Sequence, residues 1–220
     1  MPLFRHDANF SRLTDADLAA WATIPPAIAS DCMNRSQTMA ARIKPLAPGA
    51  RLTGQARTVA CMVGDNSAIH AALRLVGPGD VLVIAAGGYA ETALWGGLLT
   101  QAALSRGAAG VVIDGGVRDI AEIREAEFPC FAAAAVPTGP HKGFGGTIDG
   151  LIACAGCPVS PGDIILGDDD GIAVVPLGQA KTLLADCRAK IAQENEALER
   201  MRQGTLLADQ MGIPEPTLLN

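Results

Sequence analysis

The clearest pattern along the chain is a set of short, unbroken apolar runs bounded by glycine, proline or aspartate. VLVIAA (81–86) and GVVID (110–114) show no alternation of polar and apolar positions, as strands buried on both faces require. Between them, Gly87-Gly88 leads into a stretch with helical spacing from about Thr92 to Arg106, which Gly107 ends. After the second run, Gly115-Gly116 reads as a turn and DIAEIREAE (119–127) as an amphipathic helix with Asp119 near its start. This β-α-β-α alternation predicts an α/β protein.

The flanking segments add helices at both ends and strands between. Thr14, with Asp17 three positions on, resembles a capping box, and Leu18 and Trp21 share a helical face. With a further helix after Pro25-Pro26, residues of about 12–38 read as N-terminal helices. RLTGQARTVACMV (51–63) is rich in threonine and valine and reads as a strand. Asp65 or Asn66 would then cap a short helix in SAIHAALRLV, ended by Gly77-Pro78-Gly79-Asp80. Short strands follow in FPCFAAAAV (128–136), IDGLIACAG (148–156), DIILG (163–167) and GIAVV (171–175), the last two joined by an acidic turn. A long, charged helix runs from about 178 to 203. No repeat or low-complexity linker divides the sequence, so a single domain over 1–220 is expected.

Composition narrows the function. A chain of 220 residues buries a sizeable core without staples, and 49% hydrophobic with 18% charged residues is far from disordered composition. A net charge of −6 with 4% aromatics leaves neither a basic footprint nor a stacking platform, which argues against nucleic acid. The longest uncharged runs fall short of the roughly 18 residues of a membrane span, and MPLFRHD places charge where a signal peptide needs apolar residues. No membrane association and a cytoplasmic location are therefore expected. Cys32, Cys61, Cys130, Cys154, Cys157 and Cys187 lie in apolar surroundings that suit reduced, buried thiols. The one CxxC, Cys154 to Cys157, lacks both the second pair of a zinc site and the helix of a thioredoxin-like motif, and reads as structural.

Chemistry concentrates in GGVRDIAE (115–122), which delivers Arg118-Asp119 to the C-terminal end of a buried strand, where α/β proteins bind ligands. Two readings stand. Asp119 is a helix cap and Arg118 a surface ion-pair partner, or Asp119 is a carboxylate for a hard cation and Arg118 a fork for a keto-acid carboxylate. Upstream, Gly96-Gly97 interrupts an otherwise good helix at about 1 kcal/mol per glycine. Either helices pack closely there, or amides at Gly97, Leu98 and Leu99 open a fresh helix N-terminus that binds an anion. A dinucleotide site is excluded, because Gly87-Gly88 before Asp114 lacks the G-x-G-x-x-G spacing; GPHKGFGG (139–146) likewise lacks the Lys-Ser/Thr ending of a P-loop. His141 and Lys142 in that loop could touch an anionic substrate, but they read first as part of a solvated, flexible loop.

WGGLLTQAALSRGAAGVVIDGGVRDIAEI resembles the family that contains class II 4-hydroxy-4-methyl-2-oxoglutarate/4-carboxy-4-hydroxy-2-oxoadipate aldolases and the regulator of ribonuclease E activity A. The similarity extends through ASDCMN (29–34), VGDNSAIHAAL (63–73), PGDVLVIAAGG (78–88), VPTGP (136–140) and VSPGDIILGDDDGIAVVP (159–176). The resemblance implies a compact layered sandwich of mixed β-sheet with flanking helices. It further implies a lyase that passes through a pyruvate enolate, with Mg²⁺ or Mn²⁺ as cofactor, a 2-oxo acid as substrate and oxaloacetate decarboxylation as an added activity. Asp119 matches the metal ligand, Arg118 the group on the pyruvyl carboxylate or enolate, and the amides of Leu98 and Leu99 the carboxylate seat. Asn66 and His70, four residues apart on one helical face, also point to the site in related sequences. The pocket in such proteins lies between subunits of a trimer or dimer of trimers, and Asp31, Glu194 or Glu196 are the candidates from a neighbour. This chain departs from the aldolases at Gly97, where they carry an acidic residue that holds a proton-supplying water. That departure is expected to favour decarboxylation over cleavage. A non-catalytic, protein-binding regulator is the alternative.

Overall fold

The computed structural model describes residues 2–219. Four parallel strands form the centre of one large sheet: β3 (Leu52–Cys61), β4 (Asp80–Ala85), β6 (Gly110–Val117) and β7 (Cys130–Ala135). At the two edges lie β1 (Leu3–Arg5), which runs parallel to β8 (Gly146–Ile148), and β2 (Lys44–Pro45), antiparallel to β7. β3 is long enough to hold two neighbours on its other side. Residues 52–55 pair with β11 (Ile164–Asp168), and residues 59–61 pair with β8, both antiparallel. β11 and β12 (Gly171–Val175) form a hairpin, as do β9 (Ile152–Cys154) and β10 (Cys157–Val159).

Alternation within these strands creates three apolar layers. Leu82, Ile84, Val111 and Ile113 face α3 (Ser67–Ala72), α4 (Gly97–Leu104) and α5 (Ile120–Glu125). Val81, Val83 and Val112 point the other way, into a cluster with Cys154, Val159, Ile165 and Val174. Ile164, Leu166 and Val175 face outward against α1 (Asp15–Trp21), α2 (Pro26–Cys32) and α6 (Ala180–Arg202), where Trp21, Ile28, Leu183 and Cys187 close the third layer. The layered α/β sandwich with a mixed sheet is thus present. A short α7 (Leu207–Gln210) ends the chain's secondary structure, and among the described residues no helix is long and apolar enough to cross a membrane.

Several expectations hold in detail. Thr14 and Asp17 form the capping box, each accepting the other's backbone amide at 3.1 Å. All six cysteines are free thiols, and Cys154 faces Cys157 across a two-residue turn in which Ala155 and Gly156 both have positive φ. Burial pushes the Cys154 thiol up to about 12, so it is inert. Asp114 is likewise structural, gripping Arg42 at 2.7 Å and the Ala155 amide at 3.0 Å.

Two expectations fail, both beside the site. The stretch from Thr92 does not run as one helix. Residues Ala93–Trp95 form a strand, β5, on the end of β6, and the helix begins only at Gly97, after an extended Gly96. Gly115-Gly116 is not a turn either, because β6 continues through it to Val117 with a register shift between Ile113 and Gly116. A Cβ at Gly116 would lie 2.8 Å from the Thr92 carbonyl oxygen, so glycine permits that close crossing.

Candidate active site

The corner between β5 and α4 is pinned by Trp95, which is 1% exposed and stacks on Phe128 with centroids 6.1 Å apart. Its indole N–H donates to Thr100 Oγ1 at 2.8 Å, Thr100 donates to the Gly96 carbonyl at 3.2 Å, and the Trp95 carbonyl accepts the Arg118 amide at 3.0 Å. The start of α4 and the end of β6 are therefore fixed to one another. Into this junction Asp119 projects from a left-handed backbone position (φ 59°), which an aspartate tolerates better than most residues.

That conformation turns the Asp119 side chain away from its own helix. It makes no capping bond to α5 and accepts the Gly97 amide at 2.9 Å instead. A Cβ on Gly96 would lie 2.5 Å from Asp119 Oδ2, so the carboxylate sits in a cradle that only glycine leaves open. Gly97 N–H is consequently taken and does not join the anion-binding amides. The amides of Leu98 and Leu99 have no acceptor among the described residues, as the first turn of a helix leaves them. Arg118 lies alongside, its Nε 3.6 Å from Asp119 Oδ2, and a Cβ on Gly139 would come within 2.8 Å of its guanidinium. The glycine of VPTGP thus lets the loop cross directly over Arg118.

Leu98, Leu99, Arg118 and Asp119 line a cavity of about 410 Å³, and Asn66, His70 and Lys142 line the same cavity. Asn66 is 4% exposed and donates through Nδ2 to the Leu94 carbonyl at 3.1 Å, which leaves its buried Oδ1 without a partner. An orphaned acceptor in a cavity wall costs free energy that a ligand donor would recover. Partial burial and the Lys142 charge hold the His70 imidazole below its usual range, with Asp65 opposing them. The pocket therefore brings together Arg118, Asp119, Leu98, Asn66 and His70 as the sequence indicated, and adds Lys142, which had read as a solvated loop residue.

Glu122 is the residue that sequence reasoning missed. It lines the same cavity, one turn beyond Asp119 on α5, and its carboxylate occupies the space a side chain on Gly97 would need. No local signal marked it, because Asp119 leaves the helical conformation and the i, i+3 spacing does not put the two side chains on one helix face. The two carboxylates are hard oxygen donors and fit a cation such as Mg²⁺ or Mn²⁺. Among the described residues no group of three or more His, Cys, Asp or Glu side chains is placed to hold an ion.

Asp31, Glu194 and Glu196 do not line this cavity. Asp31 and Glu194 both pair with Lys190, at 3.1 and 3.3 Å, which joins α2 to α6 and raises the Lys190 pKa through those bonds.

The cluster thus places two carboxylates and an arginine at a helix N-terminus beside a strand end of an α/β fold. Comparison with known proteins specifies it: residues 12–174 match the RraA-like family model (Aldolase/RraA), and the chain belongs to that family. It is 35% identical over 147 residues to the 4-hydroxy-4-methyl-2-oxoglutarate aldolase of Thermus thermophilus, covering 67% of this chain and 89% of that one. A protein of Halalkalibacterium halodurans, provisionally named as the same aldolase, is 36% identical over 191 residues, or 87% of this chain and 90% of its own. Among solved structures, RraAS2 of Streptomyces coelicolor, an unusual member of the RNase ES inhibitor RraA family, superposes with a TM-score of 0.75. It is 29% identical, with 87% of this chain and 100% of that one covered.

Proposed function

We propose that the protein is a divalent-metal-dependent lyase that cleaves 4-hydroxy-2-oxo di- or tricarboxylic acids through a pyruvate enolate and also decarboxylates oxaloacetate. The observation that carries this reading is the junction itself: two unpartnered amides, one guanidinium and two carboxylates around one cavity. Its relatives include both aldolases and RNase inhibitors, and a charged cluster of this chemistry supports the enzymatic reading.

Each group has a role that its position suits. The Leu98 and Leu99 amides, at the positive end of α4, hold the pyruvyl carboxylate, and Arg118 binds the oxygen that becomes the enolate. Asp119 is the residue that would hold Mg²⁺ or Mn²⁺, which leaves the Glu122 carboxylate free to carry a proton. When bound, such a cation supplies positive charge where the enolate develops. Glu122 stands in for the acid absent at Gly97: its carboxylate takes the 4-hydroxyl proton as C3–C4 breaks and C4 becomes a carbonyl. The electron pair of that bond becomes the enolate, and the same carboxyl returns the proton to C3. Decarboxylation needs no hydroxyl proton removed: C3–C4 breaks as C4 leaves as carbon dioxide, its electron pair becomes the same enolate, and C3 takes its proton from solvent water. Lys142 and His70, which line the same cavity, face the distal carboxylate.

Leu98, 88% exposed at the cavity lip, supports a site completed by a second copy. The active form in this reading is a trimer or dimer of trimers, in which Asp31, Glu194 or Glu196 reaches a neighbour's cavity. The test is pyruvate release from 4-hydroxy-4-methyl-2-oxoglutarate, 4-carboxy-4-hydroxy-2-oxoadipate and oxaloacetate with Mg²⁺ or Mn²⁺. No product from any of them would favour the protein-binding regulator.

A further inference from the structure

The lyase reading uses Lys142 and His70 but does not explain what holds them. They sit on separate segments, His70 on α3 and Lys142 on the 140–145 loop, where Gly143 and Gly145 both have positive φ. Glycine-rich backbone of this kind does not fix a lysine by itself. One carboxylate ties the two segments together. Asp65 is fully buried and outside the cavity lining. Its Oδ1 accepts the Ser67 amide at 2.8 Å, which anchors the start of α3, and its Oδ2 accepts the Phe144 amide at 3.1 Å, which anchors the loop. Around it, Ser67 Oγ accepts the Gly143 amide at 2.7 Å, and the His141 backbone bonds to Gly64 and Asn66 at 2.8 and 3.2 Å. Burial raises the Asp65 carboxyl, but the Ser67 and Phe144 bonds and the Lys142 charge outweigh it and hold it below the usual range. It is a fixed anion beneath the wall that carries Lys142 and His70.

We propose that Asp65 is the positioning residue of a tail-reading subsite: it sets the Lys142 loop against α3, so that Lys142, which lines the same cavity as Arg118, selects acids with a second carboxylate. Asp65 touches no substrate and acts through Lys142. This rests on the lyase reading for the orientation of the substrate, with its pyruvyl end at Arg118 and its tail at Lys142.

The test compares two unreactive ligands by titration calorimetry in the presence of Mg²⁺: pyruvate, which has the head alone, and 2-oxoglutarate, which has the same head and a distal carboxylate. The wild type is expected to bind 2-oxoglutarate about tenfold more tightly than pyruvate, the worth of one charge-assisted bond. Asp65→Asn, which places an amide donor against an N–H, is expected to bring that ratio close to one and to change pyruvate affinity by less than about twofold. Lys142→Met should do the same, and the double variant should be no worse than either single one. Ser67→Ala, which removes only the Gly143 anchor, should lower the ratio part-way and covers the case in which Asp65→Asn does not fold. A wild type without the preference, an unchanged ratio in Asp65→Asn or Ser67→Ala, or equal losses for both ligands would overturn the proposal. Failure of the lyase reading looks different: the preference is present, but no pyruvate is released from hydroxy acid or oxaloacetate. No binding of either ligand would overturn both.

Discussion

The carboxylate of Glu122 fills the space into which a side chain on Gly97 would project. In the proposed mechanism Glu122, an acid on the next helix that points into the same place, takes the part of the acid missing at position 97. Gly97→Asp would set a third carboxyl beside Glu122 and Asp119, with overlap and like-charge repulsion. The exposed Glu122 side chain can swing aside, but it then leaves the place from which it would carry the proton, so pyruvate release should fall about tenfold or more rather than rise. Adding Glu122→Gly to Gly97→Asp should recover much of the loss. Steady-state rates of the two variants check this, and a gain in the single Gly97→Asp variant would count against it.

Asp119→Asn should fold normally, since the side chain makes no cap to its own helix, yet reduce turnover by about 10²-fold or more. Chelator should abolish wild-type activity and added Mg²⁺ restore it. Thermal melting with and without Mg²⁺ gives a second readout: the ion should raise the melting temperature of the wild type but not that of Asp119→Asn.

Arg118→Lys should impair hydroxy-acid cleavage and decarboxylation alike, by about tenfold or more. An ammonium cannot reproduce the planar fork, and one charged hydrogen bond is worth about 1.5–3 kcal/mol. A loss confined to one reaction would show that Arg118 serves the tail rather than the pyruvyl head.

Asp65 also predicts a pH dependence. Its folded-state pKa is depressed, so its stabilising contribution is fully present above the unfolded value of about 3.9 and is lost as pH falls through the folded one. The melting temperature of wild type minus that of Asp65→Asn should be positive and flat above about pH 5 and should shrink in acid. A difference independent of pH down to about pH 2 would contradict the carboxylate's role.

Much of the fold was legible because its central strands are buried on both faces: β4 and the first half of β6 are continuous apolar runs that no helix face produces. Three-residue β1 was not, because its partner β8 lies more than a hundred residues away and nothing local marks the pairing. Ala93–Trp95 misled for a related reason, since three apolar residues before a helix continue its spacing, and only tertiary pairing with β6 makes them a strand. In the site, Arg118, Asp119, Asn66 and His70 could be named from motif and spacing. Glu122 and Asp65 could not, because one takes its meaning from a glycine on another helix and the other from a loop about eighty residues on.

The most direct measurement of the central claim is pyruvate release from 4-hydroxy-4-methyl-2-oxoglutarate by the wild type, Glu122→Gln and Glu122→Asp in Mg²⁺, with oxaloacetate decarboxylation followed in parallel. The account predicts cleavage by the wild type, a loss of about 10²-fold for Glu122→Gln with a smaller effect on carbon dioxide loss, and partial recovery in Glu122→Asp. Cleavage undiminished in Glu122→Gln, or no cleavage by the wild type, would contradict it.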